Sequence, residues 1–243
     1  MQAAANQKLA RNRSRLAWGL YVAAMVIFIL GLFVNNGANR EASFEAQLTP
    51  WATIAVGLLL WFTALSQLRR WGPRGRQEKV LAGAMSGLDD RYKLYAFLAA
   101  SLPDFILVGP GGVLSLVAKA ETGSVVCTKD RWKRAGSWLT SFAFDSPLGN
   151  PSAEAVDDIK RLRTVLDQAG LHDVPVGALV VFTNDRVKVK LEGCSYPVTR
   201  LKTLRDTLLK LTGRGKAVAL SAAQVRAVRD VFDRRLDSAR SWR

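Results

Sequence analysis

Histidine is almost absent from this chain. His172 is its sole histidine in 243 residues, and Cys127 and Cys194 are its sole cysteines. So small a set excludes a zinc cluster of ordinary Cys/His spacing and a disulfide framework of the kind that staples small secreted domains. The two cysteines are expected as reduced, buried thiols. Acidic residues are also scarce: 20 Asp and Glu stand against 35 Lys and Arg, giving a formal net charge of +15 and a pI near 10.4. Internal repeats and low-complexity tracts are lacking. What is present is an unusual mixture, since 49% of residues are hydrophobic despite the charge. An apolar segment joined to a basic domain gives that mixture. Such a domain suits nucleic acid or anionic lipid headgroups, although topology-setting arginines alone would produce the same composition.

The apolar part lies first. Residues 1–15 are polar and basic, with Lys8, Arg11, Arg13 and Arg15 and no acid. Residues 16–34 form an uninterrupted apolar run, and residues 51–68 a second. Each approaches the roughly 20 residues that a membrane-crossing helix needs. A basic linker, 69–75, follows with Arg69, Arg70 and Arg74. Arginines outside both outer ends predict a two-helix transmembrane hairpin, 16–68, with both termini and the globular domain in the cytosol. The expected location is the plasma membrane, of the bacterial inner-membrane type. A competing reading makes the first run a secretory signal, but it is long for one and no small-x-small cleavage site follows. Neither run holds an ionisable residue, so a transport path is not indicated. Gly19, Gly31 and Gly57 permit close helix contact without forming a GxxxG pair.

An α/β domain is expected from 76 to 211, followed by a basic C-terminal helix within 212–243. Val80, Leu81, Met85 and Leu88 give a helical period from Gln77, with Glu78 in its first turn. Strands are expected at Tyr92–Leu98, on both sides of Gly109–Gly112, at Ser124–Thr128, at Val176–Phe182 and at Arg186–Leu191. Between them lies a helix capped by Ser152, with Val156, Ile159, Leu162, Val165 and Leu166 inward, preceded by the turn-rich Asp145–Pro151. A further helix spans Arg200–Leu211, and Ser221 with Gln224 forms a capping box for the last one. Lys129, Arg131, Lys133 and Arg134 surround Trp132 in an expected loop, with Trp138 nearby. Basic residues interleaved with aromatics can bind phosphates and stack on bases. Lys188 and Lys190 line the basic side of the Arg186–Leu191 strand and are further candidates for phosphate contact.

The most informative stretch is Asp104–Gly123, DFILVGPGGVLSLVAKAETG. It reads as strand, tight turn and strand, and alternation puts Ser115, Val117 and Lys119 on one side. It resembles the NERD (nuclease-related domain) family, whose core reads roughly DHVVVGPGGVFVIETKNYSG, and more broadly the PD-(D/E)XK nucleases. The turn, Asp104, Lys119 and Gly123 match without a gap. RQEKV around Glu78 is similar to the family's GExxV pattern, with Gln77 in place of glycine. The family's NPxxQ glutamine falls on Glu154 or Asn150. The resemblance implies a restriction-endonuclease-like mixed sheet. It also implies a site in which Glu78 and Asp104 hold a divalent metal and Lys119 helps to activate water. The glutamate expected two residues before the lysine is Val117, which cannot ligate a metal. Ser115 is on the right face but is a poor replacement. Glu121 lies some 13 Å beyond Val117 if the strand continues.

The expected function is therefore a membrane-anchored, catalytically impaired nuclease homologue that binds nucleic acid or a protein partner. An active metal-dependent DNA nuclease with a rearranged acid set is one alternative, and it alone calls for Mg²⁺ or Mn²⁺. A non-enzymatic scaffold on anionic lipid is the other. No small-molecule cofactor is expected.

Overall fold

The computed structural model describes residues 1–37, 44–71, 77–135, 148–213 and 220–241. The linker beyond Trp71, Trp138 and the 145–147 part of the turn-rich segment lie outside the described residues. The chain divides into two compact units. One comprises Met1–Leu9 and Arg76–Arg243, and the other Ala10–Gly75.

The first unit is mixed α/β. Its main sheet has the order β1 (Gln2–Ala5), β2 (Lys93–Ala96), β3 (Phe105–Gly109), β4 (Gly112–Lys119), β7 (Val176–Phe182) and β9 (Val198–Arg200). β2, β3 and β4 are antiparallel, whereas β1 joins β2, β7 joins β4 and β9 joins β7 in parallel. A second sheet has the order β6 (Arg131–Ala135), β5 (Ser124–Thr128), β8 (Lys188–Glu192). Three strands were not legible: β1, in what reads as a basic tail, β6, in the expected loop, and the short β9.

The GPGG motif is explained by β3 and β4. Gly109 pairs with Gly112, leaving Pro110-Gly111 as a two-residue turn. Gly112 has φ +111°, and a Cβ there would lie 2.3 Å from the Pro175 carbonyl oxygen. Pro175 in turn accepts from Val113 N–H at 2.9 Å, which starts the seven-residue pairing of β4 with β7. The glycine thus sets the register of the central strands.

Two helices cover one face of the main sheet. α4 (Pro151–Gln168) and α6 (Ala222–Ser241) contribute Leu162, Val165, Leu166, Val228 and Phe232 to a core with Tyr95, Ile106, Val108 and Val113. The α4 cap is Asn150 rather than Ser152: the Asn150 side chain accepts from the N–H groups of Ser152 and Ala153. Pro151 then occupies the first helical position, where its missing N–H costs nothing. Val156, expected inward, is exposed, and Ala155 is buried instead. The capping box of α6 forms as expected, with Ser221 N–H on Gln224 Oε1 and Gln224 N–H on Ser221 Oγ. On the opposite face Leu94, Leu107 and Leu116 are buried, as are Leu81 of α3 (Gln77–Ala84), Met85 just after it, and Leu204 and Leu208 of α5 (Leu204–Gly213). The Thr199 hydroxyl of β9 meets those of Thr203 and Thr207 and fixes α5 beneath the sheet.

Cys127 and Cys194 form a disulfide, which corrects the expectation of two reduced thiols. Cys127 lies in β5 and Cys194 just after β8. Their 67-residue separation gave no hint of the pairing, because the proximity is created by the parallel β5–β8 register.

The second unit consists of α1, from Gln7 within the first unit's boundary to Gly37, and α2 (Phe44–Trp71). In α1, Ser14–Gly31 is long and apolar enough to cross a membrane, and Trp51–Ala64 is a shorter apolar run in α2. The residues buried between the helices are small: Ala17, Ala24 and Ala64. A Cβ on Gly31 would meet Thr53 at 3.2 Å, and one on Gly57 would meet the Phe28 backbone at 3.5 Å. Tyr21 stacks on Trp61 with centroids 4.7 Å apart. These contacts define an antiparallel pair. Large apolar side chains face outward instead, among them Leu16, Val22, Phe33, Trp51, Leu59 and Phe62.

Gly112→Ala is expected to cost at least twice what Gly123→Ala does in urea unfolding. Both glycines have positive φ, but a Cβ on Gly123 meets nothing within 4 Å. Gly123→Ala should cost about 1 kcal/mol from backbone strain alone. Equal losses would show that the Pro175 contact does not matter.

Candidate functional site

The candidate centre is built where α4 crosses β4. Pairing alternation puts Ser115, Val117 and Lys119 toward α4, level with Ala178, Val180 and Phe182 of β7. Glu154 and Asp158, one helical turn apart, descend on both sides of Ala155. Lys119 Nζ lies 2.6 Å from Glu154 Oε1, with the lysine side chain only 11% exposed. Ser115 Oγ donates to Asp158 Oδ2 at 2.6 Å. Between these polar pairs Val117 is buried with Ala155, Ala178 and Val180. Asp104 stands one residue before β3. Continuing the β3–β4 register, it lies opposite Val117, and its backbone carbonyl accepts from Phe97 N–H at 2.8 Å.

The acids interact electrically without converging. Burial holds the Asp158 carboxyl above its ordinary range. The Ser115 hydrogen bond and Arg161 oppose that shift, and the Asp104 and Glu154 charges add to it. Among the described residues no three His, Cys, Asp or Glu side chains are grouped to hold a metal ion. Glu78 opens α3, which packs beside the Leu201–Thr203 turn leading into α5. That is the opposite face of the sheet from Ser115, Lys119, Glu154 and Asp158.

Glu121 follows β4, and the chain leaves the strand at Lys119. The extended-strand distance from Val117 therefore does not apply. Instead Glu121 folds inward to 3% exposure, with Oε2 meeting no hydrogen-bond partner among the described residues. Burial pushes its carboxyl up to about 7, opposed by its own backbone N–H, Lys119 and Arg134 and reinforced by Glu154.

Four site residues were thus undervalued in sequence: Ser115, Glu121, Glu154 and Asp158. The i, i+4 spacing of Glu154 and Asp158 was the available signal. Asn150 and Glu154, alternatives for the NPxxQ glutamine, have separate roles here: Asn150 caps α4 and Glu154 pairs with Lys119.

The basic candidates fall on the second sheet. Val126 pairs with Lys133 on one side and Lys190 on the other, while Ser124 pairs with Lys188 and Thr128 with Arg131. Arg131, Lys133, Lys188 and Lys190 therefore share one face and are all exposed. Trp132 and Arg134 project to the other. Trp132 Nε1 donates to Ser152 Oγ at 2.8 Å, and its ring lies 6.0 Å from that of Phe182. The expected base-stacking aromatic is thus part of the packing under α4. Arg134 donates to the Thr122 carbonyl at 2.9 Å. Lys129 and Asp130 form the β5–β6 turn with φ of 48° and 61°, a geometry that normally calls for Asn or Gly. Asp130 is held there by Ser195 N–H at 2.9 Å and by the hydroxyls of Ser195 and Ser152.

No protein-family model, curated protein or solved structure matches this chain.

Glu121 makes stability fall as pH rises. Its carboxyl ionises near 4.5 when unfolded and near 7 when folded. The folded chain therefore binds the extra proton across that window, and stability present below pH 4.5 is lost through pH 7. At pH 8 the deficit is on the order of 3 kcal/mol. Glu121→Gln is expected to raise the melting temperature at pH 8 and to remove this component of the pH dependence. An unchanged melting curve at pH 8 would contradict the assignment.

Proposed function

We propose that the chain is a membrane-anchored, cytosol-facing protein with a NERD-like, PD-(D/E)XK-type domain that has lost efficient hydrolysis and binds nucleic acid. The observation that carries this reading is the seam between β4 and α4. Val117 fills the position opposite Asp104 where a second acid would be needed, and Lys119 is engaged by Glu154. Metal-assisted hydrolysis requires carboxylates converging on one ion and a positioned water. An apolar side chain between Asp104 and Lys119 opposes both. The succession of α3, the antiparallel β2–β4, α4 and the parallel β7 agrees with the fold that the resemblance implies.

Two features support the anchor. Small residues are buried between α1 and α2 while large apolar ones face outward, the reverse of a water-soluble helix pair and the pattern suited to lipid. Connectivity supports two crossings as well. The apolar unit is inserted between β1 and β2, which pair with each other. That pairing favours both ends of the insertion on one side of a membrane, as two crossings would give. Removal of the first helix as a signal would also take β1 with it. The flanking arginines favour the cytosolic side.

Full-length protein in detergent is the right material, since a fragment starting at Arg76 lacks β1. With Mn²⁺ or Mg²⁺ the wild type is expected to leave DNA intact, and Val117→Glu to gain metal binding by calorimetry. Cleavage by the wild type that is abolished by Asp104→Ala would overturn this. A second reading, a nuclease with rearranged acids, is favoured by the placement of Glu154 and Asp158 beside Lys119. It requires that cleavage by the wild type also disappear in Glu154→Gln.

The disulfide gives an independent check on orientation, because stable disulfides are rare in a reducing cytosol. Thiol labelling of intact cells is expected to find Cys127 and Cys194 at least partly reduced, with the domain shielded from external protease. A fully oxidised pair together with external proteolysis would place the domain outside.

A further inference from the structure

We propose that the outer face of the second sheet docks the sugar-phosphate backbone of double-stranded nucleic acid; this rests on the nucleic-acid reading above and names its partner. The strand register makes the surface. Arg131 and Lys133 form one cationic row on β6, and Lys188 and Lys190 form another on β8, with Val126 and Thr128 of β5 between them. Lys129 extends the surface at the turn. A groove of about 850 Å³ runs along the β5–β6 side, lined by Val126, Thr128, Lys129, Arg131, Lys133 and Arg134. Lys190 shares its charge with Glu192 at 2.8 Å. Arg131, Lys133 and Lys188 have no ion pair among the described residues.

Geometry favours a duplex. Neighbouring strands are about 4.8 Å apart, so the two outer rows lie roughly 10 Å apart, and successive residues in a row are about 6.6 Å apart. Duplex grooves are about 6 and 12 Å wide, and two rows at that separation can meet both backbones at once. A single strand would engage one row. Among the described residues the face carries no aromatic platform for unpaired bases, because Trp132 points inward to Ser152 and Phe182. With cations alone on offer, contact is made to phosphates and carries little sequence information. The surface is braced by Asp130, whose carboxylate ties the β5–β6 turn to Ser195 and Ser152. Pre-ordering of that kind lowers the entropy cost of binding.

The test is fluorescence anisotropy with the full-length protein in detergent, using a 20-base-pair DNA duplex and one of its strands, and flotation with phosphatidylglycerol vesicles. About four phosphate contacts predict that duplex affinity falls roughly 100-fold between 50 and 200 mM salt. The double variant Lys133→Gln/Lys188→Gln should weaken duplex binding about 10-fold or more and lower the logarithmic salt slope by about two. Arg226→Gln/Arg234→Gln on α6 should bind like wild type. The inference is overturned, with the nucleic-acid reading intact, if only the α6 variant loses affinity or if the single strand binds as tightly as the duplex. A wild type that binds neither DNA overturns both, and vesicle binding in that case identifies lipid as the partner. Unchanged thermal melting of the Lys133/Lys188 variant confirms that its loss is one of contact.

Discussion

Most of this domain depends on the crossing of α4 over β4. Three successive same-side positions of β4 meet the helix in three ways: Ser115 by a hydrogen bond to Asp158, Val117 by apolar contact, and Lys119 by an ion pair to Glu154. The same helix closes the main core through Leu162 and Leu166. The polar pairs fix the azimuth of α4, because rotation about its axis would leave a half-buried lysine and a half-buried carboxyl without partners, which is costly. The valine between them supplies the apolar contact that lets the helix approach. Position and chemistry are thus set by one seam.

The second sheet depends on that seam at one remove. Ser152 in the first turn of α4 receives the Trp132 indole N–H and donates to Asp130. Asp130 holds the Ser195 backbone, and the neighbouring Cys194 is bonded to Cys127. The first turn of α4 therefore anchors the inner side of the small sheet, and the cations are left on the outer side. This division explains why a basic tract with a central tryptophan is not a stacking surface. Period-two alternation sends Trp132 and its neighbours Arg131 and Lys133 to opposite sides.

Local patterns in the sequence sufficed for much of this. The hairpin at Gly109–Gly112, the buried run Val176–Phe182 and the Ser221–Gln224 capping box each carry their own signature. What escaped was set by long-range pairing. β1 has only Gln2 and three alanines, which favour no strand by propensity, and exists because β2 offers an edge. β6 was hidden because its Lys129-Asp130 turn lacks glycine and is stabilised from Ser152 and Ser195, far along the chain. The disulfide required knowledge that β5 and β8 are parallel neighbours. At the centre, Asp104, Val117 and Lys119 were singled out by the family resemblance, and strand alternation correctly put Val117 and Lys119 on one side. Glu154 and Asp158 were not, because spacing on a helix gives no information about which strand it covers. Glu121 was misjudged because strand geometry was extended past the point where β4 ends.

The chemistry of the centre also bears on why a valine is tolerated there. Asp104, Glu154 and Asp158 already repel one another enough to help raise the Asp158 pKa. Another carboxylate at 117 would add a charge to a buried position between them, with Lys119 the nearest compensation and that lysine already paired. Such an arrangement is stable when a divalent cation neutralises it and destabilising otherwise. Valine at 117 avoids that repulsion and gains apolar burial with Ala155, Ala178 and Val180. On the proposed reading, a fold freed from holding a metal gains stability at that site, which is the usual direction of the trade between stability and function. On the proposed reading, the basic sheet is untouched by that exchange. It shares α4 with the centre but none of its charged groups, so binding can persist after cleavage is lost.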